Sequence, residues 1–206
     1  MSVLLAVDPS LNSVGAAVYV DGKLKLAERV KLPAASDEER GARCVTMALT
    51  ILGVIERASR PIDRGREPFA FPRSLVFEWP QIYRASKSEG DPNDLIGLAG
   101  VGGAIAGLLA YRLAVTSELL DVVTPVPATW TGQIPKTIKT PGGRRKLPRD
   151  ASTSPRGIRI VSRLDADERA IAAGANHDTL DAVGLGLWRL GRYEPRRIIS
   201  RGIPLA

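Results

Sequence analysis

The spacing of apolar and polar residues predicts strands in the first 30 residues. Val3 to Val7 is a continuous apolar run, which is typical of a central strand that is buried on both faces. Ser13 to Val20 is rich in small and β-branched residues, and Lys23 to Glu28 alternates between polar and apolar residues. The pair Asp21-Gly22 between them is typical of a tight hairpin turn. The pattern therefore predicts three strands, at least two of them joined as an antiparallel hairpin.

The next two segments predict a helix and a fourth strand. Ser36 and Glu39 have the spacing of a capping box, which marks the start of a helix. Apolar residues at helical spacing then predict the side that packs on the sheet: Ala42, Val45, Leu49, Leu52 and Ile55. After a loop rich in Pro and Arg, Ser74 to Glu78 predicts a short buried strand that ends in an acid.

The rest of the pattern completes an α/β fold. Leu120 to Val126 predicts a fifth strand, and helices are predicted over Asp165 to Ala173 and over Asp178 to Leu190. Strands followed by alternating helices and strands favour a five-stranded mixed sheet, with the antiparallel hairpin at one side and helices flanking it.

One predicted helix, Leu95 to Tyr111, carries no charge. Its length of about 17 residues is the minimum for a membrane span. Because it is rich in glycine rather than leucine, we interpret it as a buried helix of a soluble protein, with no membrane partner. Gly100, Gly103 and Gly107 recur three or four residues apart, which indicates a face that another backbone can approach closely.

Composition narrows the class of protein. The chain has 206 residues and a formal net charge of +7, so we expect a single domain with an anionic partner such as nucleic acid. The single cysteine, Cys44, excludes an intramolecular disulfide framework, and with one histidine it makes a zinc site a poor interpretation. The first residues do not have the pattern of a signal peptide. We therefore expect a cytoplasmic protein in a reducing environment.

The positive charge is concentrated in one segment. Residues 136–163 contain nine Lys or Arg and only Asp150 as an acid, so their net charge is +8 and that of the rest is −1. The segment is poor in large apolar residues, which predicts a long basic loop inserted into a domain of residues 1–192, with a basic tail over 193–206. We expect DNA phosphates to be bound by Lys136, Lys139, Arg144, Arg145, Lys146 and Arg149.

Four acids occupy positions that suggest a metal site. Asp8 and Glu78 end predicted strands, and Asp178 and Asp181 lie three residues apart on one helix face. If they converge, their mutual repulsion favours a bound cation, and oxygen ligands without His or Cys select Mg²⁺ or Mn²⁺. Two such ions about 3.5–4 Å apart would serve phosphodiester cleavage. Each acid alone also has an ordinary explanation as a turn residue or helix cap.

Several motifs in this order resemble a known family. Leu5 to Gly15 (LAVDPSLNSVG) resembles the opening of RuvC-type Holliday junction resolvases, which belong to the RNase H-like superfamily. Val76-Phe77-Glu78 is similar to their second acidic motif, and Asp178 to Gly184 (DTLDAVG) to their final one. Pro127 to Gly132 (PATWTG), followed by Pro135-Lys136, resembles the phage-type branch.

The resemblance implies a function and roles for residues. It implies an RNase H-like fold in which Asp8, Glu78, Asp178 and Asp181 are catalytic carboxylates that bind Mg²⁺, with Lys136 as the lysine at the scissile phosphate. It also implies a homodimer that nicks two strands of a four-way DNA junction symmetrically, leaving 5′-phosphates. Gln81 stands where the family often has an aromatic residue that stacks on a base, so Trp79 and Tyr83 are the substitutes.

Two other functions fit the same residues. A related nuclease could act on other branched DNA or on an RNA–DNA hybrid with the same carboxylates. A non-catalytic junction-binding protein would need the positive charge but not all four acids. His177, beside Asp178, is a candidate base or an exposed residue before the helix.

Overall fold

A five-stranded mixed sheet lies at the centre of the computed structural model, which describes residues 1–32, 40–59, 71–80, 92–131, 134–139 and 145–194. Its strands are β1 (Val3–Asp8), β2 (Ser13–Val20), β3 (Lys23–Lys31), β4 (Ser74–Phe77) and β5 (Asp121–Val123). Their order in the sheet is β3-β2-β1-β4-β5. β1 pairs antiparallel with β2 and parallel with β4, so the predicted α/β fold with a hairpin at one side is confirmed.

Helices cover both faces of this sheet. The described helices are α1 (Arg40–Ser59), α2 (Pro92–Ala114), α3 (Pro127–Thr131), α4 (Pro155–Val161), α5 (Ala166–Ile171) and α6 (His177–Arg189). The predicted capping box of Ser36 and Glu39 lies outside the described residues.

Successive side chains along the strands point alternately to the two faces of the sheet, and each face has its own hydrophobic core. Val7 and Phe77 belong to a first core with α1 and α2, whereas their neighbours Ala6 and Val76 belong to a second core with α4 and α6. Because successive side chains of a strand point to opposite faces, the residues after Val7 and Phe77 face the second core. Those residues are Asp8 and Glu78.

Helix α2 is buried on one side only. Val101, Ile105 and Leu109 are fully buried, whereas Ile96 and Tyr111 are 71% and 70% exposed. By length and composition, Leu95–Ala114 could cross a membrane, and only 28% of its most apolar stretch is buried. The prediction of a buried helix therefore holds for one face, and an apolar face is left uncovered within the described residues.

The predicted packing face of α1 is partly wrong. Leu52 and Ile55 are buried, but Val45 and Leu49 are 49% and 55% exposed. The buried side instead contains Cys44, Met47, Ala48, Ile51 and Val54. The helix is apolar on more than one side, so periodicity alone did not identify the side that packs.

The prediction of one long loop over 136–163 is wrong for much of that segment. Two short strands, β6 (Ile138–Lys139) and β7 (Arg145–Lys146), pair with each other. A 3₁₀ turn over Ala151–Thr153 and helix α4 follow, and Ile160 of α4 is fully buried. Ser154 caps α4 and Pro155 begins it, so a local start signal was present among the Ser and Pro residues. Tyr193 is also buried, and residues 195–206 lie outside the description.

A buried ion pair fastens the end of the described chain to the β2–β3 hairpin. The Glu168 side chain is 2% exposed and accepts two hydrogen bonds from Arg192, at 2.7 and 2.6 Å. It also accepts from the backbone N–H groups of Leu24 and Asp165. Arg192, above all, lowers the pKa of Glu168 from its ordinary 4.5 to about 2. The charged form of Glu168 is therefore part of the folded structure.

We expect Glu168→Gln to lower the free energy of unfolding by about 3 kcal/mol at pH 7, because Arg192 would lose its buried partner. Since the pKa of Glu168 is depressed on folding, its contribution is complete above pH 4.5 and is lost as the pH falls toward 2. The difference between wild type and variant in guanidinium unfolding should therefore shrink between pH 5 and pH 3. Glu28→Gln, at an exposed site of β3, is the control and should change stability by less than about 0.5 kcal/mol. A difference that does not depend on pH would contradict this role.

Candidate metal and active site

The parallel register of β1 and β4 places two acids side by side. Val7 pairs with Phe77, so Asp8 and Glu78 each follow a paired residue at the carboxyl ends of adjacent strands. Neighbouring strands lie about 4.8 Å apart. Both side chains point toward the face covered by α6, as the alternation of the two cores requires.

A glycine lets α6 approach this strand end. Asp8 pairs with Gly15 of β2, and a Cβ atom on Gly15 would lie 2.0 Å from the carbonyl oxygen of Asp178. Farther along, the hydroxyl of Tyr19 donates to the carbonyl of Val183 at 2.7 Å. The two contacts fix α6 against β2, with its amino-terminal turn beside Asp8.

The two acids of α6 have different partners. Asn176 caps the helix by accepting from the N–H of Thr179, so Asp178 is not the cap. The Asp178 carboxylate accepts from the hydroxyl of Ser13 at 2.8 Å. Asp181, one turn later, is 3% exposed and pairs with Lys136 and with Arg156, the latter at 3.2 Å.

Burial and mutual repulsion act on the two strand-end acids. Burial raises the pKa of Asp8 well above its ordinary value, and the charges of Asp181, Glu78 and Asp178 raise it further. Burial also raises the pKa of Glu78, although the indole N–H of Trp130 donates to it at 2.6 Å and opposes the shift. The four predicted acids are therefore close enough to influence one another.

Lys136 supplies positive charge to the same cluster. Burial by itself disfavours its ammonium form, but Asp181 and Asp8 outweigh burial and raise the pKa of Lys136. Its side chain is 34% exposed, so it lies between the buried acids and the surface. The structure thus brings Lys136 together with the predicted acids, as a basic group that stays charged.

The donor set fits a hard divalent cation. Asp8, Glu78, Asp178 and Asp181 offer carboxylate oxygens, which Mg²⁺ and Mn²⁺ prefer. A cation would offset both the burial of Asp8 and its repulsion by the other acids, which together raise its pKa. In the part of the chain that the structure describes, no three Asp, Glu, His or Cys side chains are already arranged to hold an ion. Glu78, Asp178 and Asp181 instead accept hydrogen bonds from Trp130, Ser13 and Arg156.

The predicted DNA-binding residues are only partly within the description. Lys146, on β7, and Arg149, three residues after it, are exposed. Arg144, Tyr83 and Gln81 lie outside the described residues, as do the side chains of Lys139 and Arg145. Trp79, the other predicted substitute, directly follows Glu78 in the chain and is 44% exposed.

The sequence did not reveal the contacts of two residues near the site. Trp130, which the sequence placed only within the PATWTG motif, donates its indole N–H to Glu78. Arg156 was assigned to the basic loop, but it lies in the first turn of α4 and contacts Asp181. The position of Trp130 within the PATWTG motif was the available signal, whereas nothing distinguished Arg156 from neighbouring arginines. His177 places Nε2 3.0 Å from the carbonyl oxygen of Pro148.

We expect Gly15→Ala to disrupt the site, because the new methyl group would overlap the backbone of Asp178 and push the start of α6 away from Asp8. Overpacking of this kind costs about 1–3 kcal/mol in the free energy of unfolding, which guanidinium denaturation measures. Gly41→Ala is the matched control, since no atom lies within 4 Å of a Cβ at that position. Equal stability of the Gly15→Ala variant and wild type would show that α6 does not depend on this contact.

Comparisons with known proteins add a likeness in fold. No protein-family model matches the sequence, and no curated protein sequence is detectably similar to it. Among solved structures, the chain is similar to T. thermophilus RuvC in complex with a Holliday junction substrate, with 15% identity, a TM-score of 0.45, and 95% of this chain and 100% of that chain covered. A second Thermus thermophilus RuvC structure gives 16% identity, a TM-score of 0.46, and 94% and 99% coverage. The identities and TM-scores of both matches are low, so a functional assignment must come from the site.

Proposed function

We propose that the chain is a metal-dependent, structure-selective DNA endonuclease that resolves four-way junctions by paired symmetric nicks. The observation that carries this proposal is the convergence of Asp8 and Glu78, at the ends of two parallel strands, with Asp178 and Asp181 of α6 and with Lys136. An acidic cluster that includes one charged lysine suits a substrate whose reacting group is a phosphodiester.

The chain's own residues would have different roles at the phosphate. Mg²⁺ or Mn²⁺, held by the four carboxylates, would supply Lewis-acid charge and make a water molecule more acidic. Lys136 keeps its ammonium charged, since Asp181 and Asp8 raise its pKa, and can stabilise the negative charge that develops on the phosphate. Lys146 and Arg149, exposed nearby in the chain, would bind flanking phosphates.

Symmetric nicking of a four-way junction calls for two sites, and the uncovered face of α2 supports a homodimer. Ile96 and Tyr111 are exposed, and no atom lies within 4 Å of a Cβ on Gly103 or Gly107. These positions follow one another at helical spacing on one face. Gly100, which the sequence grouped with them, instead packs on Cys44 of α1. A second copy of α2 could approach closely at Gly103 and Gly107 and cover the apolar face.

A cleavage assay tests the catalytic proposal. With Mg²⁺, wild type should cut a labelled four-way junction symmetrically. Asp8→Asn should be at least about 100-fold slower, because loss of even an outer partner of a metal ligand costs about 10–100-fold. The variant should still bind the junction, since it loses only negative charge. Asp167→Asn, at an exposed acid of α5, is the matched control and should cut normally.

Competing substrates distinguish the other functions in the same assay. If the protein cuts an RNA–DNA hybrid or a flap in preference to the junction, it is a nuclease with a different substrate and not a junction resolvase. Junction binding without cutting, in Mg²⁺ and in Mn²⁺, would indicate a non-catalytic junction-binding protein.

We expect Gly107→Glu to convert a dimer into a monomer, because two buried carboxylates would face each other across the α2 contact. Light scattering after size exclusion should give about twice the chain mass of 22.1 kDa for wild type and the single chain mass for the variant. Gly41→Glu, another open glycine position on a helix, should remain dimeric. A monomeric wild type, or one that sediments with lipid vesicles, would rule out a second copy as the cover of α2.

A further inference from the structure

The indole of Trp130 directs its one polar atom at a predicted metal ligand. Trp130 is fully buried on α3, and its Nε1 lies 2.6 Å from Oε2 of Glu78. An indole N–H can only donate, so this contact favours the carboxylate form of Glu78 and restricts its rotation. A residue that only filled the core would need no polar atom at this position.

A second buried side chain connects Trp130 to the rest of the site. The Arg156 side chain is 14% exposed, and its guanidinium carbon lies 5.6 Å from the centre of the Trp130 ring. Its Nε and Nη2 donate to the carbonyl oxygen of Ile134 at 3.2 and 3.0 Å, and Nη1 donates to Asp181 at 3.2 Å. One planar group thus contacts α3, α6 and the segment that leads to Lys136.

We propose that Trp130 and Arg156 act as one positioning unit for the acidic site. Trp130 orients the Glu78 carboxylate, while Arg156 holds the Trp130 ring, Asp181 and the Ile134 carbonyl in fixed relative positions. The inference rests on the proposed function, because it assigns how that site is held together. Neither residue is a catalytic residue. Trp130 is enclosed in the core and acts only through Glu78, and Arg156 acts through Trp130, Asp181 and the Ile134 carbonyl.

Trp130→Phe tests the first half of the unit, because it removes the N–H donor and keeps an aromatic ring. The Kd of Mn²⁺, measured by calorimetry on protein without DNA, should rise about 10-fold or more, as expected when an outer partner of a metal ligand is lost. The kcat for junction cleavage should fall by a similar factor, with the KM for the junction unchanged. Trp188→Phe, at a partly buried tryptophan of α6, is the matched control and should leave both values unchanged.

Arg156 tests the second half and provides an independent route if Trp130→Phe does not fold. Arg156→Lys keeps the positive charge beside Asp181 but cannot contact Ile134 and Asp181 together, so it should weaken Mn²⁺ binding and lower kcat. Arg156→Met also removes the charge, and that loss by itself favours a bound cation. Tighter Mn²⁺ binding by Arg156→Met with an unchanged Kd for Arg156→Lys would therefore show an effect of charge alone and overturn the positioning role. The melting temperature of each variant is measured separately, and every assay is run well below it.

The possible outcomes separate this inference from the proposed function. If wild type neither binds Mn²⁺ nor cuts any branched DNA, the proposed function fails. If wild type does both and the Trp130 and Arg156 variants keep its Kd and kcat, the positioning unit is overturned while the function stands. Variants that melt at lower temperature but keep both values would also overturn it, because the two residues would then serve packing alone.

Discussion

The structure depends on keeping several carboxylates together at one buried end of a sheet. Asp8 is enclosed and is within range of the charges of Glu78, Asp178 and Asp181. Charges of one sign in such a place persist only if positive groups or protons come with them. Lys136 and Arg156 fill this need at Asp181, and both come from the segment between the fifth strand and α6. That segment is therefore part of the site's electrostatics and not only a surface for DNA.

The same requirement explains why the helices on this face sit where they do. Trp130 on α3 must reach Glu78, Arg156 on α4 must reach Asp181, and α6 must lie against β2 at Gly15. The second core, which contains Trp130, Ile160 and Val183, packs these three helices on a single sheet face. Hydrophobic packing supplies the stability of the arrangement, and the polar contacts determine its geometry at the sheet end.

Patterns that depend on a single chain segment were predictable. The apolar strand Val3–Asp8, the Asp21-Gly22 turn and the final helix with its two acids followed from local periodicity and turn chemistry. The structured part of 136–163 was missed, because Thr, Ser, Pro and Arg suggest a loop while its buried residues, such as Ile160, are few. The buried side of α1 was missed because a helix that is apolar on more than one side needs its partner, α2, to settle the question. The partners of Glu78 and Asp181 are distant in sequence, so no local signal could pair them.

At the end of strand β4, two consecutive residues contact the two opposite cores of the molecule. Phe77 points into the first core, where Gly102 of α2 packs so closely that a Cβ would lie 2.3 Å from its ring. Glu78, the next residue, faces the opposite core and binds Trp130. α2 also contacts Leu11, in the turn that follows Asp8, through Gly97. A displacement of α2 would therefore be transmitted to both strand ends that carry the acids. If a second copy covers α2, the distance and orientation between two such sites would be set by a rigid helix packed directly on the strands that carry the predicted catalytic groups.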